Sequence, residues 1–368
     1  MKITKLSLYQ LGLTSHETYY MAEGKTCDTV TTSVLKIDTD EGVTGWGEVC
    51  PIPHYLPAFA GGVESVVREL SNVLIGADPV GPEALMAKCD AYLMGHIYAK
   101  SMIDIALWDI TAKAANLPLY ALIGGRQQDT MPLYHSITCV EPDEMVRIAQ
   151  TAYQTGMRQF QVKLGADNDP LKDIERLRAV RKAVGEGPLV YGDWNMGTDK
   201  LTATRVGRAV RDLDIMLEQP CQTIEDCASV KRATGLPAKQ DETAHDMESV
   251  LKAHSLECMD AMALKLSKFG GISKARAVRD LCVHLGTRLC VECTWGSDIV
   301  TAAILHLAAS TPAKTIMNTC DLSHYVYPRI DEGVPTREDG RIAPPEVAGL
   351  GVTPNMDVLG DPIAVIEG

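Results

Sequence analysis

A chain of 368 residues, 46% hydrophobic and 23% charged, has apolar material for more than one packed unit and is excluded from the disordered and collagenous classes. Its formal net charge of -13 excludes sequence-independent binding to nucleic acid or to anionic membranes, both of which need a basic surface. The eleven cysteines are odd in number and scattered without a framework, which predicts reduced core thiols, and Cys290-Val291-Glu292-Cys293 lacks the second Cys/His pair of a zinc site.

The N-terminus opens directly into a strand-like alternation rather than a signal peptide, and no apolar run reaches bilayer-spanning length, so a cytoplasmic protein is expected. Residues 3–11 and 29–38 alternate apolar with polar, and Asp38-Thr39-Asp40-Glu41-Gly42-Val43-Thr44-Gly45 supplies the turn of a hairpin. Helical periodicity follows over 62–74, 82–94 and 99–115, with Leu122-Ile123-Gly124-Gly125 as a glycine stop for the last helix. Residues 1–125 are therefore read as an α+β domain.

From about residue 130 a unit of roughly 25 residues recurs, an apolar strand followed by an amphipathic helix, the alternation that makes parallel strands with crossover helices. The predicted strands are 131–138, 159–164, 189–195, 215–219, 238–242, 261–266, 288–292 and 315–320. Between them, stretches such as 170–184 carry an apolar stripe of Leu171, Ile174, Leu177, Val180 and Val184. Eight such units predict an α/β fold, a (β/α)₈-type barrel over 126–340, with the last strand–helix unit the least regular. No low-complexity linker separates the two parts, which predicts that they pack together. The Pro- and Gly-rich segment 341–368 is expected to return to the first domain.

In such a barrel the chemistry sits at the C-terminal strand ends, where the βα loops form one mouth. Those ends read Gln161-Val162-Lys163, Gly192-Asp193-Trp194-Asn195, Leu217-Glu218-Gln219-Pro220, Gln240-Asp241-Glu242 and Leu264-Lys265-Leu266, a succession of Lys, Asp, Glu, Asp, Lys. Three carboxylates at one mouth repel one another unless a cation lies between them, and hard oxygen donors suit Mg²⁺, so Asp193, Glu218 and Asp241 are the predicted metal ligands. A metal so placed can take a substrate carboxylate and stabilise the enediolate left when the alpha proton departs. Lys163 and Lys265, from strands on opposite sides of the triad, can approach one carbon from opposite faces, one taking a proton while the other gives one.

These strings, with Gly45-Trp46-Gly47-Glu48, Ala99-Lys100-Ser101-Met102-Ile103-Asp104-Ile105-Ala106-Leu107-Trp108-Asp109 and Leu264-Lys265-Leu266-Ser267-Lys268-Phe269-Gly270-Gly271, resemble the muconate-lactonizing-enzyme-like subgroup of the enolase superfamily over essentially the whole chain. The resemblance implies a capping domain on a barrel, the same three Mg²⁺ ligands, and Lys163 and Lys265 as the two-faced acid/base pair. It usually shows Lys-x-Lys at the second strand, where this chain has Gln161, and it places Asn195 in the metal and substrate network. Gly95-His96-Ile97-Tyr98-Ala99-Lys100 and Glu292-Cys293-Thr294-Trp295-Gly296-Ser297-Asp298 resemble the branch acting on proline derivatives, which dehydrates a cis-3-hydroxy-L-proline or epimerises a hydroxyproline betaine.

Within that branch Glu292, Trp295 and Asp321 are expected near the substrate. Trp295 is equally suited to packing the rim, and His324 to being an ordinary loop histidine. Tyr19, Tyr20 and Tyr55 are placed on capping-domain loops that could close over the mouth. A methylated ammonium would ask for an aromatic wall. Cys320-Asp321-Leu322-Ser323-His324 offers a carboxylate instead, so Asp321 is expected to meet the N–H groups of a secondary amine. The expectation is a dehydratase on cis-3-hydroxy-L-proline, with a racemase or 2-epimerase as rival and an inactive barrel with a binding role as the alternative of another class. The partners expected are a small-molecule amino-acid substrate and, in a homo-oligomer, further copies of the chain.

Overall fold

The computed structural model describes residues 1–54, 56–333 and 337–368. Strand β1 (Ile3–Tyr20) pairs antiparallel with β2 (Thr26–Thr39), which turns back into β3 (Thr44–Val49). β1 runs far beyond residue 11: its pairing with β2 continues in register to Thr14 and, after a register shift, resumes at Tyr19, where the strand meets the barrel. There the Tyr20 amide donates to Thr138 Oγ1 at 2.6 Å and the Cys139 amide donates to the Tyr20 carbonyl at 3.0 Å. Tyr19 and Tyr20 thus end a strand, where a loop is expected from the sequence.

Helices α1 (Ala60–Leu74), α2 (Pro82–Tyr92) and α3 (Ile97–Ala114) cover this sheet. α3 is buried on nearly every side, as a helix apolar all round must be, because it lies between β3 and the barrel. Gly45 and Gly47 permit that approach: a Cβ on them would sit 2.2 Å from the Ala106 carbonyl oxygen and 1.9 Å from that of Met102. α3 does not reach the glycine pair at 124–125. Pro118 starts a separate turn, α4 (Leu119–Leu122), and the glycines follow that.

The second half alternates strand and helix: β4 (Met131–Pro132), β5 (His135–Ile137), α5 (Pro142–Gln154), β6 (Gln159–Lys163), α6 (Pro170–Val184), β7 (Leu189–Asp193), α7 (Lys200–Ala209), β8 (Ile215–Glu218), α8 (Ile224–Thr234), β9 (Ala238–Gln240), α9 (Met247–Ser255), β10 (Ala261–Lys265), α10 (Leu266–Phe269), α11 (Ile272–Leu285), β11 (Arg288–Glu292), α12 (Asp298–Ala309) and β12 (Ile316–Thr319). Strands β5 to β12 form one curled parallel sheet in chain order, and a bridge between Leu133 and Thr319 draws its two ends together. Asp169, Asp199, Thr223 and Asp246 start α6 to α9 by accepting backbone N–H groups, the usual side-chain remedy for a helix's free amides.

The first barrel segment is split, since Met131–Pro132 pairs outward with β14 (Arg341–Ile342) while His135–Ile137 pairs with β6. After β12 the described residues form a 3₁₀ turn (Leu322–His324) in place of an eighth helix. Strand β13 (Val326–Tyr327) then joins β1; beyond β14, α13 (Met356–Leu359) leads into β15 (Ala364–Glu367), which also pairs with β1. No helix among the described residues is long and apolar enough to cross a membrane, and all eleven cysteines are free and buried.

Candidate active site

Strand alternation sends every second side chain into the barrel. At the mouth this brings together Lys163, Asp193, Glu218, Asp241 and Lys265, none of them more than 7% exposed. Lys163 Nζ lies 2.5 Å from Asp193 Oδ2 and donates to Asn195 Oδ1 at 3.0 Å. Asn195 in turn donates from Nδ2 to Glu242 Oε1 at 3.0 Å and from its amide to Asp193 Oδ1 at 2.8 Å. Across the mouth Lys265 Nζ donates to Asp241 Oδ2 at 2.6 Å, and Lys268 Nζ holds the other oxygen at 3.0 Å. Glu218, between the two halves, accepts from Gln161 Nε2 at 2.8 Å through Oε2 and meets Lys239 Nζ at 2.8 Å through Oε1.

Burial pushes the Glu218 carboxyl up to about 8; Lys239 opposes this, while Asp193 and Asp241 reinforce it. Burial and the neighbouring Asp241 charge likewise raise Glu242 to about 7. Asp241 goes the other way: its burial is outweighed by Lys265 and Lys268, which hold it well below the ordinary carboxylate range. For Lys163 burial favours the neutral amine, but Asp193 and Glu218 overcome it and raise the pKa. A cation among the carboxylates would cancel that effect and free the amine for base duty.

The residues present suit such a cation. Glu218 Oε1 is a buried carboxylate oxygen with no hydrogen-bond donor, since the Lys239 contact is too bent to qualify. Asp193 ends β7 and Asp241 directly follows β9, on either side of β8, and with Glu218 all three are hard oxygen donors. In the arrangement described, with lysine ammoniums against Asp193 and Asp241, no three His, Cys, Asp or Glu side chains of the described residues stand close enough to hold a metal.

Both lysines line one cavity of about 50 Å³, together with Asn195, Glu292 and Trp295. Glu292 accepts from Tyr134 OH at 2.5 Å. Asp321 does not line it: that carboxylate is buried against Ser323 Oγ at 2.8 Å and Arg337 Nε at 3.3 Å, and its neighbour Cys320 faces the cavity. The wall is also aromatic, contrary to the expectation drawn from residues 320–324. Tyr19, Tyr134, Trp295 and Tyr325 all contribute, with Trp295 5.6 Å from Tyr19 and 6.3 Å from Tyr325 between ring centres. Rings from the capping strand, the segment between β4 and β5, the loop after β11 and the last turn meet only in three dimensions, so a search of one loop does not find them. His324 is exposed outside this wall, against Tyr325, and Tyr55 lies outside the described residues.

The strand-end succession alone passes over Lys239, Glu242 and Lys268. Lys239 had a signal, standing in β9 two residues before Asp241, the spacing that puts side chains on one face of extended chain.

Residues 10–124 match the family model for the mandelate racemase/muconate lactonizing enzyme N-terminal domain, and residues 144–358 that for the enolase C-terminal domain-like fold. The chain is 41% identical to the cis-3-hydroxy-L-proline dehydratase of Roseibium aggregatum over 99% of both chains. It is 30% identical to the N-succinyl-L-Arg/Lys racemase of Bacillus cereus, covering 98% of this chain and 97% of that one. An enolase-superfamily member from Roseovarius nubinhibens ISM, solved in complex with magnesium, superposes with a TM-score of 0.94 at 35% identity over 100% of both chains. With two family models spanning most of its length, and lysines and carboxylates at the strand ends of a capped barrel, the chain is an enzyme of the mandelate racemase/muconate lactonizing enzyme family within the enolase superfamily.

Proposed function

We propose that this enzyme removes the proton alpha to the carboxylate of a proline-type amino acid and dehydrates cis-3-hydroxy-L-proline to Δ¹-pyrroline-2-carboxylate. The observation that carries the reading is the pair of buried lysines reaching one small cavity from opposite sides of three buried carboxylates. Asp193, Glu218 and Asp241 would hold Mg²⁺, which when bound supplies a positive charge for the substrate carboxylate and the developing enediolate. Full-length similarity to a dehydratase of this imino acid supports the choice of substrate.

The stereochemistry fits two faces. In cis-3-hydroxy-L-proline the 3-hydroxyl is cis to the carboxylate and therefore trans to the C2 hydrogen. Lys163 as the amine takes the C2 proton, and Lys265 as the ammonium protonates the departing hydroxyl, which leaves as water. The C2–C3 enamine tautomerises to the cyclic imine. The four aromatic rings of the wall support a second reading, 2-epimerisation of a proline betaine, because such rings favour a quaternary ammonium. There Lys265 would return a proton to C2. Incubation with cis-3-hydroxy-L-proline and detection of imine with o-aminobenzaldehyde separates the two: no imine, together with inversion at C2 of a proline betaine, would give the case to the epimerase.

A further inference from the structure

Lys239 is fully buried, stands directly opposite Glu218 in the β8–β9 register, and does not line the cavity. Its Nζ lies 2.8 Å from Glu218 Oε1 and 3.6 Å from Glu292 Oε1, over the rings of Tyr191 at 4.7 Å and Tyr134 at 5.6 Å. A barrel interior is ordinarily filled by branched apolar side chains, and replacing a buried ion pair by apolar groups of like volume is often neutral or stabilising. Packing alone therefore gives no reason for an ammonium here.

The three mouth carboxylates differ in how they are held. Asp193 is bound by Lys163, and Asp241 by Lys265 and Lys268. Lys163 and Lys265 line the cavity and must release their carboxylates to act on a substrate. Glu218 has a neutral amide, Gln161, on one oxygen and on the other a cation that is not part of the cavity lining. The bent contact leaves Oε1 without a hydrogen bond, so the oxygen is fixed without being consumed.

We propose that Lys239 is a positioning residue that holds Glu218 in place as a metal ligand while the two mouth lysines exchange partners, and that it carries the charge the neutral Gln161 does not supply. The inference rests on the metal-site reading above. It predicts an interaction between two positions on opposite sides of one carboxylate. In Lys239→Met the ligand loses its anchor; adding Gln161→Lys restores an ammonium through the other oxygen. In the native background Gln161→Lys places a second ammonium on Glu218 and disfavours a cation.

The test is Mn²⁺ binding to the full-length protein, followed by titration calorimetry and by the electron paramagnetic resonance spectrum of the bound ion. Lys239→Met should weaken binding about tenfold or more, the range seen when groups supporting a ligand are removed. Gln161→Lys should recover most of that loss in the Lys239→Met background yet weaken binding in the native one. Native-like affinity in folded Lys239→Met, or no recovery in the double variant, overturns the proposal. If Lys239→Met does not fold, a double variant that folds and binds Mn²⁺ supports it, and one that fails to fold or folds without binding overturns it. Absence of Mn²⁺ binding by the native protein would instead sink the metal reading on which the proposal stands.

Discussion

Glu48→Gln tests the junction between the two halves of the molecule. Glu48 ends the Gly45-Trp46-Gly47-Glu48 string of β3 and is completely buried. Its Oε1 accepts from Thr32 Oγ1 at 2.8 Å and the Ser297 amide at 2.8 Å; Oε2 accepts from Ser297 Oγ at 2.9 Å and the Val300 amide at 3.0 Å. The capping domain thereby caps α12, which begins just after Trp295 of the cavity wall. An amide has one accepting oxygen, so either orientation turns its NH₂ toward one hydroxyl and one backbone N–H. The hydroxyl can rotate to accept, but the N–H cannot and is left buried without a partner, costing about 1–3 kcal/mol. Loss of the anion at a helix N-terminus adds about 1 kcal/mol, giving a total of about 2–4 kcal/mol. Urea unfolding at pH 7 measures it, and KM for the substrate should rise as Trp295 loses its fixed position. A variant within about 0.5 kcal/mol of the native protein would show that the carboxyl is held as a neutral acid, and the reasoning would fail.

The lysine pair gives a directional prediction: Lys265→Ala should still wash deuterium into C2 of the L-substrate, whereas Lys163→Ala should lose that exchange by about 10²-fold or more, and the opposite pattern would exchange the faces. Excess EDTA should abolish turnover and Mg²⁺ restore it, with Asp241→Asn folded but weakly bound to metal; full turnover in EDTA refutes the carboxylate assignment. Asp104 accepts from the Ser273 amide at 3.0 Å at the start of α11, and burial raises its carboxyl from 3.8 to about 6. The folded state therefore holds this proton more tightly than the unfolded chain, and that stabilisation is complete below pH 3.8 and lost as pH rises through about 6. Asp104→Asn lacks the effect, so its stability relative to the native protein should climb by about 2 kcal/mol between pH 4 and pH 7; parallel melting curves across that range would refute it.

The barrel strands were legible because each is a short apolar run set between turn residues, and the strand-end Lys, Asp, Glu, Asp, Lys order needs only the local chain to be read. The unit after β12 was not, because what replaces its helix is pairing of Val326–Tyr327 with β1, more than 300 residues away in sequence. The same holds for the cavity wall. Asp321 looked like a substrate contact when only its own loop was considered, but Arg337 and Ser323 turn it aside. Lys239 illustrates a different limit. Its inward face followed from its spacing to Asp241, but its partner Glu218 belongs to the neighbouring strand, and only the β8–β9 register joins them.

The strings at 45–48 and 99–109 that carry the family likeness are not part of the lining of the mouth cavity, and their geometry says what they do. Gly45 and Gly47 admit α3 against β3; Asp109 on α3 accepts from the Trp46 amide at 3.0 Å and from the Leu350 amide at 2.7 Å. Asp104 caps α11 and Glu48 caps α12, so the two helices that flank β11 are both started by carboxylates from the other half of the molecule. Between those helix starts lie Glu292 and Trp295 of the wall. Before α11 comes the short α10, with Lys268 against Asp241. Two carboxylates remote from the reacting atoms therefore fix one side of the cavity, the side from which Lys265 works. A substitution at either should disturb substrate binding through the helix it starts, before it disturbs the lysines themselves.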